Sequence, residues 1–230
     1  MAYFFLFIAV VSILLTSIIS LIPLWWVSQG DISDMYMTSI TPAWFTFSIW
    51  SLIYASWIFL WLYAIYMRKK WKKYLYLSAS LLLSVVWLIP WHYDIIWLSL
   101  IIMASILWLL IYIFQKKRYK DKYFQYTLEL YLWWIFVAFI ANLHIYLVSA
   151  SLYIFPVFFT LISFLVWITL LSYTIHINKA FISSYVFLWA LFGIFIAQDN
   201  TIVEIWAIIS ALILATLIVR NHPKTSYIFR

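Results

Sequence analysis

Residues 43–67 run without a single charged side chain, and this stretch limits what the chain can fold into more than any other feature. At ~1.5 Å per residue, a helix of that length crosses the roughly 30 Å hydrocarbon core of a bilayer. Phe47, Trp50, Tyr54, Trp57 and Trp61 recur every three or four positions, so a helix carries all of them on one face. Thr41 reads as its N-cap and Pro42 as its first residue, where a missing N–H costs nothing. The expectation is a membrane-spanning helix over residues 41–66 with an aromatic stripe.

The pattern repeats along the chain. Of the 230 residues 68% are hydrophobic and 9% charged, too little polar surface to coat a water-soluble globule. The apolar runs are continuous rather than alternating, which argues against an outer-membrane barrel. There is no cysteine, so disulfides, thiolate metal sites, iron–sulfur clusters and thiol catalysis are excluded. The expected fold class is all-α, a polytopic transmembrane bundle of about eight helices.

The spans fall at residues 3–27, 41–66, 74–90, 95–115, 125–149, 153–177, 180–197 and 202–219. The first has no basic residue ahead of it and reads as a retained helix rather than a signal peptide, kinked or ended by Pro23. A polar loop at 28–39 with Asp31 and Asp34, a turn WHYD at 91–94 and a break QDN at 198–200 separate spans. Threading eight helices back and forth puts all 14 Lys and Arg on one side, in 68–73, in 116–122, at Lys179 and in the tail at Arg220, Lys224 and Arg230. Asp31, Asp34, Asp94, Asp199 and Glu204 fall on the other. Since cytoplasmic loops collect Lys and Arg, both termini are expected in the cytoplasm. The net charge of +7 is then topology and not a sign of nucleic acid, and membrane lipid is the expected partner, at ~1 kcal/mol per basic residue near anionic headgroups. Only Gly30 and Gly193 are glycines, so close small-residue helix contacts reduce to one pair, Gly193 with Ala197.

The aromatic stripe has two readings from physics alone. It glues helices together and anchors them at the interface, or it walls a pocket for a flat ligand, with ~0.5–1.5 kcal/mol per stacked pair. His92, Asp94 and His144 fall at one membrane depth, as interfacial residues satisfied by water or as ligands to a metal, a haem iron or a propionate. Glu129, near the cytoplasmic end of the fifth span, is expected to pair with the basic cluster at 116–122. No Asp, Glu, Lys or Arg lies near the middle of any span, which disfavours ion-coupled transport, proton pumping and a retinal Schiff base. No phosphate loop, metalloprotease helix or nucleophile elbow is present.

The stretches TPAWFTFSIWSLIY, WLIPWHYDIIWLSLIIMASILWLL and LYLWWIFVAFIANL resemble helices two, three to four, and five of the TspO/MBR family, the tryptophan-rich sensory proteins related to the mitochondrial translocator protein. WALFGI at 189–194 is similar to the C-terminal motif of its longer members. The resemblance implies a five-helix core over residues 1–150, three additional transmembrane helices over 151–220 and a cytoplasmic tail at 221–230, in a bacterial inner membrane. It implies a receptor or sensor for flat apolar ligands, tetrapyrrole or sterol-like, held in an aromatic pocket between the second, third and fifth helices and capped by the first loop. A carrier of such ligands and a light-dependent porphyrin-degrading protein are the alternatives, and a purely structural role in another membrane complex is a further one. No cofactor is obligatory and no metal is assigned; a porphyrin or haem would be the ligand, and a homodimer fits the family.

Carried over by motif, Pro42, Trp44, Trp50 and Tyr54 match the second-helix signature, and Tyr131, Trp134, Ala138 and Asn142 match the pattern Y-x-x-W-x-x-x-A-x-x-x-N of the fifth helix. Trp50 and Trp134 correspond to tryptophans implicated in porphyrin photochemistry in some members. On this reading Trp50, Trp87 and Trp134 stack on the ligand, Tyr54 and Tyr131 offer hydroxyls, Asn142 a hydrogen bond and Trp44 a lid contact. Trp91, His92 and His144 complete the candidate site at its outer end. Two positions depart from the family pattern: Leu130 replaces a proline and Ser84 an asparagine.

Overall fold

The computed structural model describes residues 2–21, 29–69, 72–116, 121–178 and 181–221. The expected kink at Pro23 and the position of Lys179 lie outside them. Among the described residues the chain is helical throughout: α1 (Ala2–Leu21), α2 (Gln29–Met35), a 3-10 turn (Trp44–Ser48), α3 (Ile49–Tyr66), α4 (Lys72–His92), α5 (Ile96–Gln115), α6 (Lys122–Ser149), α7 (Pro156–Asn178), α8 (Phe181–Ala197) and α9 (Thr201–Asn221). Six helices are long and apolar enough to cross a membrane, and two shorter apolar helices, Leu6–Ile19 and Phe181–Ala197, pack in the same bundle. Only helices satisfy every backbone group within one segment in lipid, and the chain is an integral membrane protein.

α1 packs on α3 and α4, α4 on α5, α5 on α6, and α6 on α3, which closes a ring of five helices. The remaining three form a layer outside it: α8 lies against α6, and α7, α8 and α9 pack on one another. α6 is therefore enclosed on both sides, and every residue from 127 to 135 is buried. This separates its adjacent tryptophans. Trp133 points outward to Phe187 of α8, with ring centroids 5.7 Å apart, and Trp134 points inward to Trp50 of α3, at 6.4 Å.

The two ends of the bundle are tied differently. At one end Lys69 pairs with Asp121 at 3.5 Å, and Asp121 caps α6 by accepting from the backbone N–H of Tyr123 and Phe124. Glu129 is buried in α6 beside the backbone N–H of Ile182 in the first turn of α8, and residues 117–120 of the basic cluster with which it is expected to pair lie outside the described residues. At the other end Tyr36 donates to Asp94 at 2.9 Å, and Asn200 caps α9 through the N–H of Ile202 and Val203.

Two boundaries differ from the sequence expectation. Thr41 and Pro42 do not start the second span. Thr41 closes a turn with Thr38, and the span opens as a 3-10 turn at Trp44, because the Ala43 N–H is committed to the Gly193 carbonyl of α8 at 2.9 Å. The turn after α4 is shorter than WHYD, since the helix runs through Pro90 to His92. It ends in a six-to-one bond from the Ile95 N–H to the Pro90 carbonyl, with Asp94 left-handed at φ 57°. α3 and α6 end the same way, with Arg68 at φ 48° and Ser151 at φ 57° where glycine is usual. The loop expected at 28–39 contains the short helix α2, which buries Ile32.

Gly193 is not half of a small-residue helix pair with Ala197. It admits the 3-10 turn: a Cβ there would lie 2.0 Å from Oγ1 of the buried Thr46. Trp189 Nε1 donates to the Thr46 carbonyl at 2.8 Å, and Gln198 Nε2 to the Thr41 carbonyl at 2.8 Å. The outer layer thus grips the segment that leads into α3.

Thermal unfolding in detergent tests both features. Gly193→Ala is expected to lower stability by about 1–3 kcal/mol through overpacking, with partial recovery on adding Thr46→Ala; an unchanged Tm would contradict the close approach. Ser151→Gly, which relieves a left-handed residue, is expected to raise stability by about 1 kcal/mol.

Candidate functional site

The stripe on α3 faces the interior of the ring. Trp57 and Trp61 are fully buried, while Tyr54 and Trp50, one and two turns nearer the lid end, line a cavity of about 600 Å³. Phe47 and Trp44 carry the wall to the mouth, where Trp44 is 85% exposed. α4 contributes Trp87 and Trp91, tilted rings 5.1 Å apart, and Ser84; α6 contributes Trp134, Ala138 and Asn142. The wall is wider than the second, third and fifth spans. Thr16 of α1, Met103 and Ile106 of α5, Trp167 of α7, and Ala190 and Ile194 of α8 also reach it.

Across the cavity Trp50 meets Trp134 edge to face, with planes at 89°, and Tyr54 beside it at 5.5 Å. Phe47 meets Trp134 in the same manner at 6.2 Å. Behind this pair stands Tyr131, fully buried and not part of the wall. Its ring packs on Trp50 and Trp57, and its hydroxyl is used within the protein, bonding Ser84 Oγ at 2.6 Å and donating to the Ser80 carbonyl at 3.2 Å. Ser84 is both a partner of Tyr131 and part of the wall. Asn142 is held from α5, its Nδ2 donating to Ser99 Oγ at 3.1 Å.

The candidate residues thus divide. Trp44, Trp50, Tyr54, Trp87, Trp91, Trp134 and Asn142 line the cavity, whereas Tyr131, His92 and His144 stand outside its lining. The histidines and Asp94 do not share a site. His92 Nδ1 donates to the Leu88 carbonyl of its own helix at 2.8 Å, and Asp94 accepts from Tyr36. His144 joins α6 to α7 and to the mouth segment. Ser163 Oγ donates to the Phe159 carbonyl at 3.0 Å, so it accepts from His144 Nε2; Nδ1 then accepts from Tyr153, whose oxygen also receives the Ser39 N–H. Among the described residues no group of three His, Asp or Glu side chains could hold a metal ion. Trp167 carried no signal in the sequence, because it belongs to a helix outside the ring, and the WALFGI stretch that contains Ala190 and Ile194 gave no sign that they reach the wall.

A second hollow of about 630 Å³ lies on the outer surface between α3, α6 and α8. Leu52, Phe59, Tyr126, Leu130 and Trp189 make it a lipid-facing groove, separate from the ring cavity.

Because the Tyr131 hydroxyl is committed to Ser80 and Ser84, Tyr131→Phe is expected to cost about 1 kcal/mol of stability. The cavity wall is untouched, so ligand affinity should stay within about twofold of the parent. A large loss of affinity without loss of stability would place that hydroxyl on the ligand instead.

Comparison with curated proteins and with solved structures gave no match. A family described as TSPO-like protein matches residues 2–220, nearly the whole chain, including the three outer helices. With the five-helix ring and its outer layer both inside that match, the chain belongs to the TSPO-like protein family.

Proposed function

We propose that this protein is a membrane receptor or sensor that takes one flat, largely apolar ligand, a tetrapyrrole or a sterol-like molecule, into the ring cavity. The observation that carries the reading is the cavity's wall: rings from α3, α4 and α6 face one space of about 600 Å³, within the range of small-molecule sites. Trp50, Trp87 and Trp134 supply stacking surface, Tyr54 a hydroxyl, Asn142 an amide, Trp91 the far wall and Trp44 the rim. Tyr131 supports Trp50 from behind, and His92 and His144 position the outer ends of α4 and α6.

Receptor is favoured over carrier by what lies below Tyr54. Trp57 and Trp61 fill the next two turns of α3 and are fully buried, so the cavity is floored at that end. The mouth lies at the acidic end of the bundle, and the opposite end carries Arg68, Lys69, Lys116, Lys122 and Arg220. The rule that basic ends face the cytoplasm supports an orientation with the floor and both termini on the cytoplasmic side and the mouth on the outer side of a bacterial inner membrane.

Tryptophan emission reports occupancy directly. A porphyrin titrated into the protein in nanodiscs is expected to quench saturably at micromolar concentration, and Trp50→Ala/Trp134→Ala to weaken binding at least about tenfold, as the loss of two stacking partners requires. Trp108→Ala, which removes a ring exposed on the outside of α5, should bind as the parent does. Parent affinity in the double variant would remove the site.

A further inference from the structure

Among the described residues the wall of the ring cavity contains no Asp, Glu, Lys, Arg or His. Its polar atoms belong to neutral groups, among them Thr16, Ser51, Tyr54 and Asn142. A carboxylate brought inside would find no counter-ion, and an unpaired buried charge is strongly unfavourable.

The mouth has a sign. Ser33, Thr41 and Trp44 line it. Asp31 and Asp34 flank Ser33 on α2, and both are exposed. Asp94 is tied to the same segment through Tyr36, and Asp199 follows Gln198, whose amide holds the Thr41 carbonyl. No Lys or Arg occurs in the described segments at this end, residues 29–43, 93–95, 150–155 and 198–201. Clefts rimmed by charges of one sign attract guests of the other, and indole faces attract cations. Both effects act in one direction here.

From this arrangement we propose that the cavity selects flat guests whose polar end is positively charged, over neutral isosteres, and discriminates against free carboxylic acids. The chemical class is a planar organic cation, its ring system among Trp50, Trp87 and Trp134 and its charged group at the acidic mouth beside Trp44. This rests on the reading of the ring cavity as the ligand site and adds the charge of the ligand to it.

One macrocycle in three forms tests it: a porphyrin as its free diacid, as its dimethyl ester and as its bis-choline ester, which carries trimethylammonium groups. Each is titrated by tryptophan quenching into the protein in nanodiscs of zwitterionic lipid, with empty discs to subtract partitioning. The choline ester should bind tightest and the diacid weakest, at least about tenfold apart, with the gap narrowing as salt screens the rim. Asp31→Asn/Asp34→Asn/Asp94→Asn/Asp199→Asn should flatten the order without abolishing binding of the dimethyl ester. A diacid that binds as tightly as the ester, or an order indifferent to both salt and the fourfold variant, would overturn the charge selection while leaving the cavity as a site. Saturable binding of none of the three would overturn both.

Discussion

Ring volume sets the distance between helices in this protein. In lipid there is no hydrophobic force to draw helices together, and close approach through small residues needs glycines that the ring lacks. The helices are held by large side chains that meet edge to face, as Trp50 and Trp134 do between α3 and α6, and Trp57 and Tyr131 deeper in the bundle. Such pairs contribute about 0.5–1.5 kcal/mol each, and they keep the backbones apart. Where the rings interlock, at Trp57 and Trp61, the interior is filled; where they stand around a wider space, near the lid end, it is not. The cavity follows from the same packing that stabilises the bundle.

A close approach of two segments lies at the mouth. Gly193 lets α8 touch the 3-10 turn, and the Ala43 N–H, Trp189 indole and Gln198 amide fasten the segment from Thr38 to Thr46. The outer layer is therefore part of the site's construction. It fixes the rim through α8 and adds Trp167, Ala190 and Ile194 to the wall. His144 extends the linkage, since the Tyr153 hydroxyl it accepts from also receives the Ser39 N–H. The rim is tied in this way to both α7 and α8.

The spans were legible in the sequence because hydrophobic length and polar breaks are local properties, and the QDN break with its Asn200 cap is an instance. The inward side of the α3 stripe was legible for the same reason, as was the inward Trp134 through its motif. What the sequence did not reveal depends on partners far along the chain. Thr41 and Pro42 look like a helix start until the Gly193 carbonyl, some 150 residues on in the chain, takes the Ala43 N–H. Tyr131 looks like a ligand contact until Ser80 and Ser84 occupy its hydroxyl. The short α2 was missed because seven residues with a single buried apolar side chain show no period.

Photo-crosslinking places a guest inside or outside the ring without recourse to affinity. A porphyrin ester carrying a diazirine, irradiated with the protein in nanodiscs and mapped by mass spectrometry, should label peptides of α3, α4 and α6 around Trp50, Trp87 and Trp134, and an unlabelled porphyrin should compete. Label confined to Trp97, Trp108 and Tyr66, exposed rings on the lipid side of the bundle, would contradict an interior site.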